Sequence, residues 1–197
     1  MSKKTSKKNR QARREQLEQE RKRRNLMIGG GTAVVVLVLI GLIVFRIAAN
    51  NIEGVFNFGT QERGHDQSVV IEETSLPPVG GIHDPVWLNC GVYETEVPLK
   101  NAIHAMEHGA VWITYRPDLA VNDVTELESL VRGQSYMVIS PYPNLASNIV
   151  LTAWGVQLQV DSVNDERIEK FISVYRNGPQ TPEPGASCSG GTGNPIG

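Results

Sequence analysis

A chain of 197 residues is long enough for one ordinary domain plus appendages. Its net charge of -2 hides an asymmetry: residues 1–25 carry eleven Lys/Arg against three Glu, whereas from residue 47 onward seven Lys/Arg face eighteen Asp/Glu. A body this acidic excludes nucleic acid as its partner.

Residues 1–25 form a basic tail, rich in Lys, Arg, Gln and Glu and almost without apolar side chains. Such a segment cannot bury a core. Attraction to anionic lipid headgroups, about 1 kcal/mol per basic residue near the surface, is the role its composition suggests. Residues 26–45 carry no charge. At 1.5 Å per residue a helix of that length spans the roughly 30 Å hydrocarbon core of a bilayer. Arg21, Lys22, Arg23 and Arg24 precede it and only Arg46 follows closely. The expectation is a single-pass anchor over residues 26–46 in the plasma membrane, with the N-terminus cytoplasmic and the body outside. A cleaved signal peptide is the rival reading. It calls for a shorter apolar core and a small-residue cleavage site, which Ile47-Ala48-Ala49-Asn50 makes poorly.

Residues 47–56 read as a spacer, 57–179 as an α+β domain and 180–197 as a Pro/Gly/Ser-rich, mostly extended tail. Within the domain, residues 68–71 suggest a short strand and 76–85 a loop punctuated by proline and glycine. Pro98 opens a helix that ends at His108, with Gly109 as its stop. Leu99, Ile103 and Met106 make the apolar face of that helix, placing His104 and His108 on roughly the opposite side. Residues 110–115 then read as a strand. A second helix is expected over 123–132, capped by Asn122, then strands over 135–140, 148–154 and 156–160, then a third helix over 165–176. The order lacks strict alternation of strand and helix. The predicted fold class is therefore α+β: a small mixed sheet with about three helices, preceded by the transmembrane helix.

Two constellations carry chemistry. All four histidines, His65, His83, His104 and His108, fall within one stretch of the chain, and the last two are an i,i+4 pair on one helix face. Imidazole is the commonest metal ligand, so the four are candidate metal ligands, with Glu107 as a further ligand, a partner orienting an imidazole, or a plain helix carboxylate. Separate surface or hydrogen-bonding histidines are the alternative. Cys90 and Cys188 pair as a disulfide in an exported domain; Cys90 as a soft ligand or as a nucleophile are the other options. Trp87, Trp112, Trp154, Tyr93, Tyr115 and Met106 read as packing residues.

The runs Leu76-Pro-Pro-Val-Gly-Gly-Ile-His83-Asp-Pro-Val-Trp87, Cys90-Gly-Val-Tyr93, His104-Ala-Met-Glu-His108-Gly-Ala-Val-Trp112 and Trp154-Gly155 together resemble a bacterial family of membrane-anchored proteins carrying a domain of unknown function, DUF3105. The resemblance covers roughly residues 56–188 and implies an extracytoplasmic domain behind one anchor. It brings no activity with it.

Three functions follow from the chemistry. The first is a membrane-anchored extracytoplasmic domain that binds copper or zinc, copper first because copper(II) binds nitrogen sites most tightly in the divalent series. The second is a structural or interaction module of a membrane complex, with a membrane-protein partner and no metal. The third is a zinc hydrolase using His-x-x-Glu-His, in which Glu107 activates water. A short motif of that kind weighs little, and no catalytic residue is assigned.

Overall fold

The computed structural model describes residues 13–14, 18–27, 29, 35–43 and 51–196. Of the stretch expected to cross the membrane, residues 26–27, 29 and 35–43 are described and are helical; the rest of it lies outside the described residues. Among the described residues no helix is long and apolar enough to cross a membrane.

From Ile52 onward the chain folds as a unit of its own. Its elements, in order, are β1 (Val55–Asn57), β2 (Gly91–Val92), α1 (Leu99–Glu107), β3 (Val111–Tyr115), α2 (Val121–Val131), β4 (Met137–Pro141), β5 (Ile149–Ala153), β6 (Val156–Val160) and α3 (Arg167–Tyr175). The class is α+β, as the sequence suggests. The six strands form one mixed sheet in the order β1-β6-β5-β3-β4-β2. β3, β4 and β2 run parallel, and β3, β5, β6 and β1 pair antiparallel.

The two parallel crossovers explain where the helices lie. From β2 the chain passes through α1 to β3, skipping β4; from β3 it returns through α2 to β4. Right-handed crossovers that travel in opposite directions put their helices on opposite faces of the sheet. The core divides accordingly. Val111, Ile113, Met137, Ile139, Ile149 and Leu151 face Leu127 and Val131 of α2 and Ile168 and Phe171 of α3. Trp112, Val138, Val150 and Trp154 face Ala102, Ile103, Ala105 and Met106 of α1. With both faces covered, β3 and β5 are buried along their whole length.

Within the folded unit the three expected helices form, as do the strands expected over 110–115, 135–140, 148–154 and 156–160, with shifted ends. α2 begins at Val121, before Asn122, and has no side-chain cap. Residues 68–71 form no strand. The Asp66 carboxylate accepts from the Ser68 backbone N at 2.8 Å and from its hydroxyl at 2.6 Å, and this local turn replaces strand pairing. β1 starts inside the stretch read as a spacer. The tail lies against the body: Asn89 N donates to Thr192 O, Thr192 N to Trp87 O, and Ile196 N to Val92 O. Cys90 and Cys188 form the expected disulfide, with Cα atoms 5.4 Å apart across a separation of 98 residues.

Candidate metal centre

α1 is the frame of the site. It ends at Glu107, and His108 caps it while its N–H still donates to His104 O. Gly109 follows with φ +112°, a conformation that glycine adopts without strain. A Cβ there would also meet Asn177 Oδ1 at 2.9 Å. This turn sends the chain into β3 and leaves the last turn of the helix fixed. The side of α1 turned away from Ile103 and Met106, with the flank that carries Glu107, is nevertheless buried: His104, Glu107 and His108 are 4%, 3% and 4% exposed. Glu107 is therefore no exposed helix carboxylate.

A loop and the tail cover that face. Residues 83–88 run beside α1, held by Leu88 N donating to Asn101 O and Asn101 Nδ2 to Val86 O. Lys100 Nζ pairs with Asp84 at 3.0 Å and donates to Gln67 O at 2.7 Å, fastening the loop to the segment around His65. An isolated parallel bridge joins His65 to His83, through Asp66 N to His83 O and His83 N to Gly64 O. Bridge partners present their side chains on the same side, so the two imidazoles arrive together.

The result is a convergence of donors from three segments. One ligand atom each from His65, His83, His104 and Glu107 lies within 4.8 Å of all the others. The His65, His83 and His104 rings have centroids 4.7–4.8 Å apart. His83 Nε2 is 3.0 Å and His65 Nε2 3.4 Å from the same Glu107 oxygen. Four ligands at 2.0–2.1 Å around a tetrahedral ion stand about 3.4 Å apart, so small side-chain movements would complete such a shell. His65, with 44% of its side chain exposed, opens the site to solvent.

Backbone carbonyls set the ring orientation. Nδ1 of His83 lies 2.7 Å from Gly81 O, and Nδ1 of His104 lies 2.7 Å from Asp84 O. A carbonyl oxygen has no proton to give, so both Nδ1 atoms carry the hydrogen and donate. In a neutral imidazole this turns the Nε2 lone pair toward the cluster, the usual outer-shell arrangement for a metal-binding histidine. Burial pushes the His104 imidazole down to about 4; its hydrogen bond to Asp84 O opposes this, and the rings of His108, His83 and His65 add to it. His104 is thus neutral at neutral pH. Asp84 is held below the usual carboxylate range by the Val86 N–H and by Lys100, so it stays ionised beside them.

His108 sits next to this group without joining its donor set. Its ring packs 4.5 Å from that of His104, but its Nδ1 donates to Ser187 O at 2.6 Å and its Nε2 faces Glu183 at 3.8 Å. The disulfide leaves neither cysteine free, which removes Cys90 as a soft ligand or a nucleophile. Met106 is packed in the core. Sequence reasoning missed the contributions of Gly81, Asp84, Glu183 and Ser187, and read Trp87 as packing alone, although its ring lies 5.8 Å from His104 and 5.2 Å from His108. The Cys90–Cys188 pairing was the one signal that could have brought Ser187 to the site.

A family model described as a protein of unknown function, DUF3105, matches residues 65–190. The match spans every residue of the cluster and both cysteines. No curated protein and no solved structure matches the chain.

Proposed function

This chain belongs to the DUF3105 family, whose description assigns no activity, and we propose that its folded unit binds one divalent first-row transition metal ion through His65, His83, His104 and Glu107. The observation that carries this reading is the convergence of three imidazoles and one carboxylate within 4.8 Å, two of the imidazoles oriented by backbone carbonyls. The pair His83 and Glu107 adds to it. With Nδ1 donating to Gly81 O, a short Nε2 contact to a carboxylate needs a positive species between or upon the two, a proton or a cation. A donor set of three nitrogens and one oxygen without sulfur suits copper(II) or zinc and disfavours copper(I).

Four protein donors suit holding an ion better than hydrolysis, which needs an open position. The His-x-x-Glu-His reading requires His104 and His108 to ligate together and Glu107 to face a water. Here Glu107 meets His65 and His83, and His108 turns to the tail. The metal-binding domain belongs, in this reading, on the outer face of the plasma membrane behind an anchor at residues 26–46. The uncharged run, the four basic residues before it and the disulfide support that placement.

Elemental analysis of the chain, purified without a histidine tag, tests the reading. About one copper or zinc per chain is the expected result. Protein that stays metal-free after incubation with either ion, followed by desalting, rejects it.

A further inference from the structure

A strap with almost no regular secondary structure lies against the end of α1, beside the site. Residues 181–192 contain no helix and no strand beyond the single bridge at Thr192, and most of their surface is exposed. A segment that buries so little cannot hold its place by apolar packing alone. Yet it makes specific contacts at the end of α1, beside the site. Glu183 N donates to Glu107 O at 3.0 Å, Ser187 O accepts from His108, and Glu183 faces His108 Nε2. Tyr136 donates to Ala186 O at 3.0 Å. Further on, the Gly191 backbone lies so close to Trp87 that a Cβ would fall 2.7 Å from its Cδ1, and Trp87 in turn packs on His104 and His108.

The covalent hold on this strap is Cys90–Cys188. Cys188 directly follows Ser187, which touches His108, and Cys90 N donates to Cys188 O at 2.8 Å. Both cysteines are only half-buried, so a reductant can reach them. We infer that Cys90–Cys188 is a redox latch: while intact it keeps the strap over His108, on the side of the metal site away from His65, and its reduction opens that second side to ligand exchange. The consequence for an ion rests on the metal-binding reading; the closure of the strap over His108 does not.

The reductant is a dithiol. One of its thiolates attacks one cysteine sulfur to form a mixed disulfide and release the other; the second thiol resolves it. The products are two cysteine thiols and the oxidised dithiol, a transfer of two electrons and two protons. Without the cross-link the strap is held by its hydrogen bonds, each worth about 1 kcal/mol net, and by its packing on Trp87, so local opening becomes more frequent than in the cross-linked protein.

Full-length protein with the disulfide intact is compared with the Cys90→Ser/Cys188→Ser variant, which has no thiols to capture metal. Each is loaded with Zn²⁺, mixed with excess chelator, and followed for release. In parallel, His108 modification by diethyl pyrocarbonate and amide exchange at Glu183 are measured. Release at least about tenfold faster, with faster His108 modification and Glu183 exchange, is the expected result. Equal release rates with equal modification overturn the latch. If the oxidised protein takes up no Zn²⁺, the metal-binding reading fails, and the modification and exchange rates alone decide the latch: faster in the variant supports it, unchanged overturns it. If the double variant does not fold, wild-type protein reduced after folding with a phosphine and capped by alkylation replaces it, with the same outcomes.

Discussion

His83 Nε2 and Glu107 Oε2 lie 3.0 Å apart with both side chains buried, although the residues are 24 positions apart in the chain. The contact joins the loop to the last turn of α1 at the centre of the donor group. Glu107→Gln keeps the size of the side chain and removes its charge. It is expected to weaken binding of Zn²⁺ or Cu²⁺ by at least about tenfold, and His83→Ala or His104→Ala by about 100-fold or more, in competition titrations. His108→Ala, outside the donor set, is expected to cost about tenfold or less. Equal losses at all four positions would point to a general effect on folding instead of ligation.

A bound ion also stabilises the fold by mass action. At a free ion concentration of 100 times Kd the gain is about 2.7 kcal/mol, which for a unit of this size raises Tm by about 5–10 °C. Calorimetry before and after chelation checks this, and the rise should disappear in His83→Ala. A Tm indifferent to metal and chelator would contradict it.

Acid should destabilise the metal-free protein in a defined window. His104 titrates at about 4 in the fold and at 6.5 when exposed. Between these values the unfolded chain binds more protons than the folded one, so stability falls as pH drops from 6.5 to 4. At about 1.4 kcal/mol per unit, the ceiling is about 3 kcal/mol. Below that window Asp84, whose pKa is lowered in the fold, adds a further loss as it protonates. Urea midpoints of metal-free protein at pH 7 and pH 4.5 measure the difference. His104→Gln should flatten the upper part of the curve, and a wild-type curve already flat between those pH values would refute the assignment to His104.

Much of this arrangement was legible in the sequence. The helix before Gly109 and the strands over 149–153 and 156–160 follow from periodicity and stop signals, because both faces of the sheet demand apolar residues. The i,i+4 histidine pair marked the right helix. Periodicity also put His104 on the side away from the sheet, correctly, but says nothing of what covers that side. The cover comes from residues far apart in sequence: a bridge at His65 and His83, and a tail returning 79 positions after His108 to Ser187. Nor does the helix alone show which of Glu107 and His108 turns toward His65 and His83. In the fold His108 Nε2 faces Glu183 of the tail while Glu107 meets His65 and His83, and no local pattern records that.

The membrane placement has its own test. A reporter fused after Gly197 should be active only in a form that requires export, and Cys90 and Cys188 should resist alkylation in the exported protein until a reductant is added. Activity of a cytoplasmic reporter at that position would reverse the proposed topology.

Metal-edge X-ray absorption on protein loaded with one equivalent of Zn²⁺ or Cu²⁺ examines the ligand shell itself. The expected spectrum has three imidazole nitrogens and one oxygen at about 2.0–2.2 Å, with one imidazole lost in His83→Ala and none in His108→Ala. A shell of water oxygens with at most one imidazole, or one that loses an imidazole in His108→Ala and keeps all of them in His83→Ala, would contradict a site built from His65, His83, His104 and Glu107.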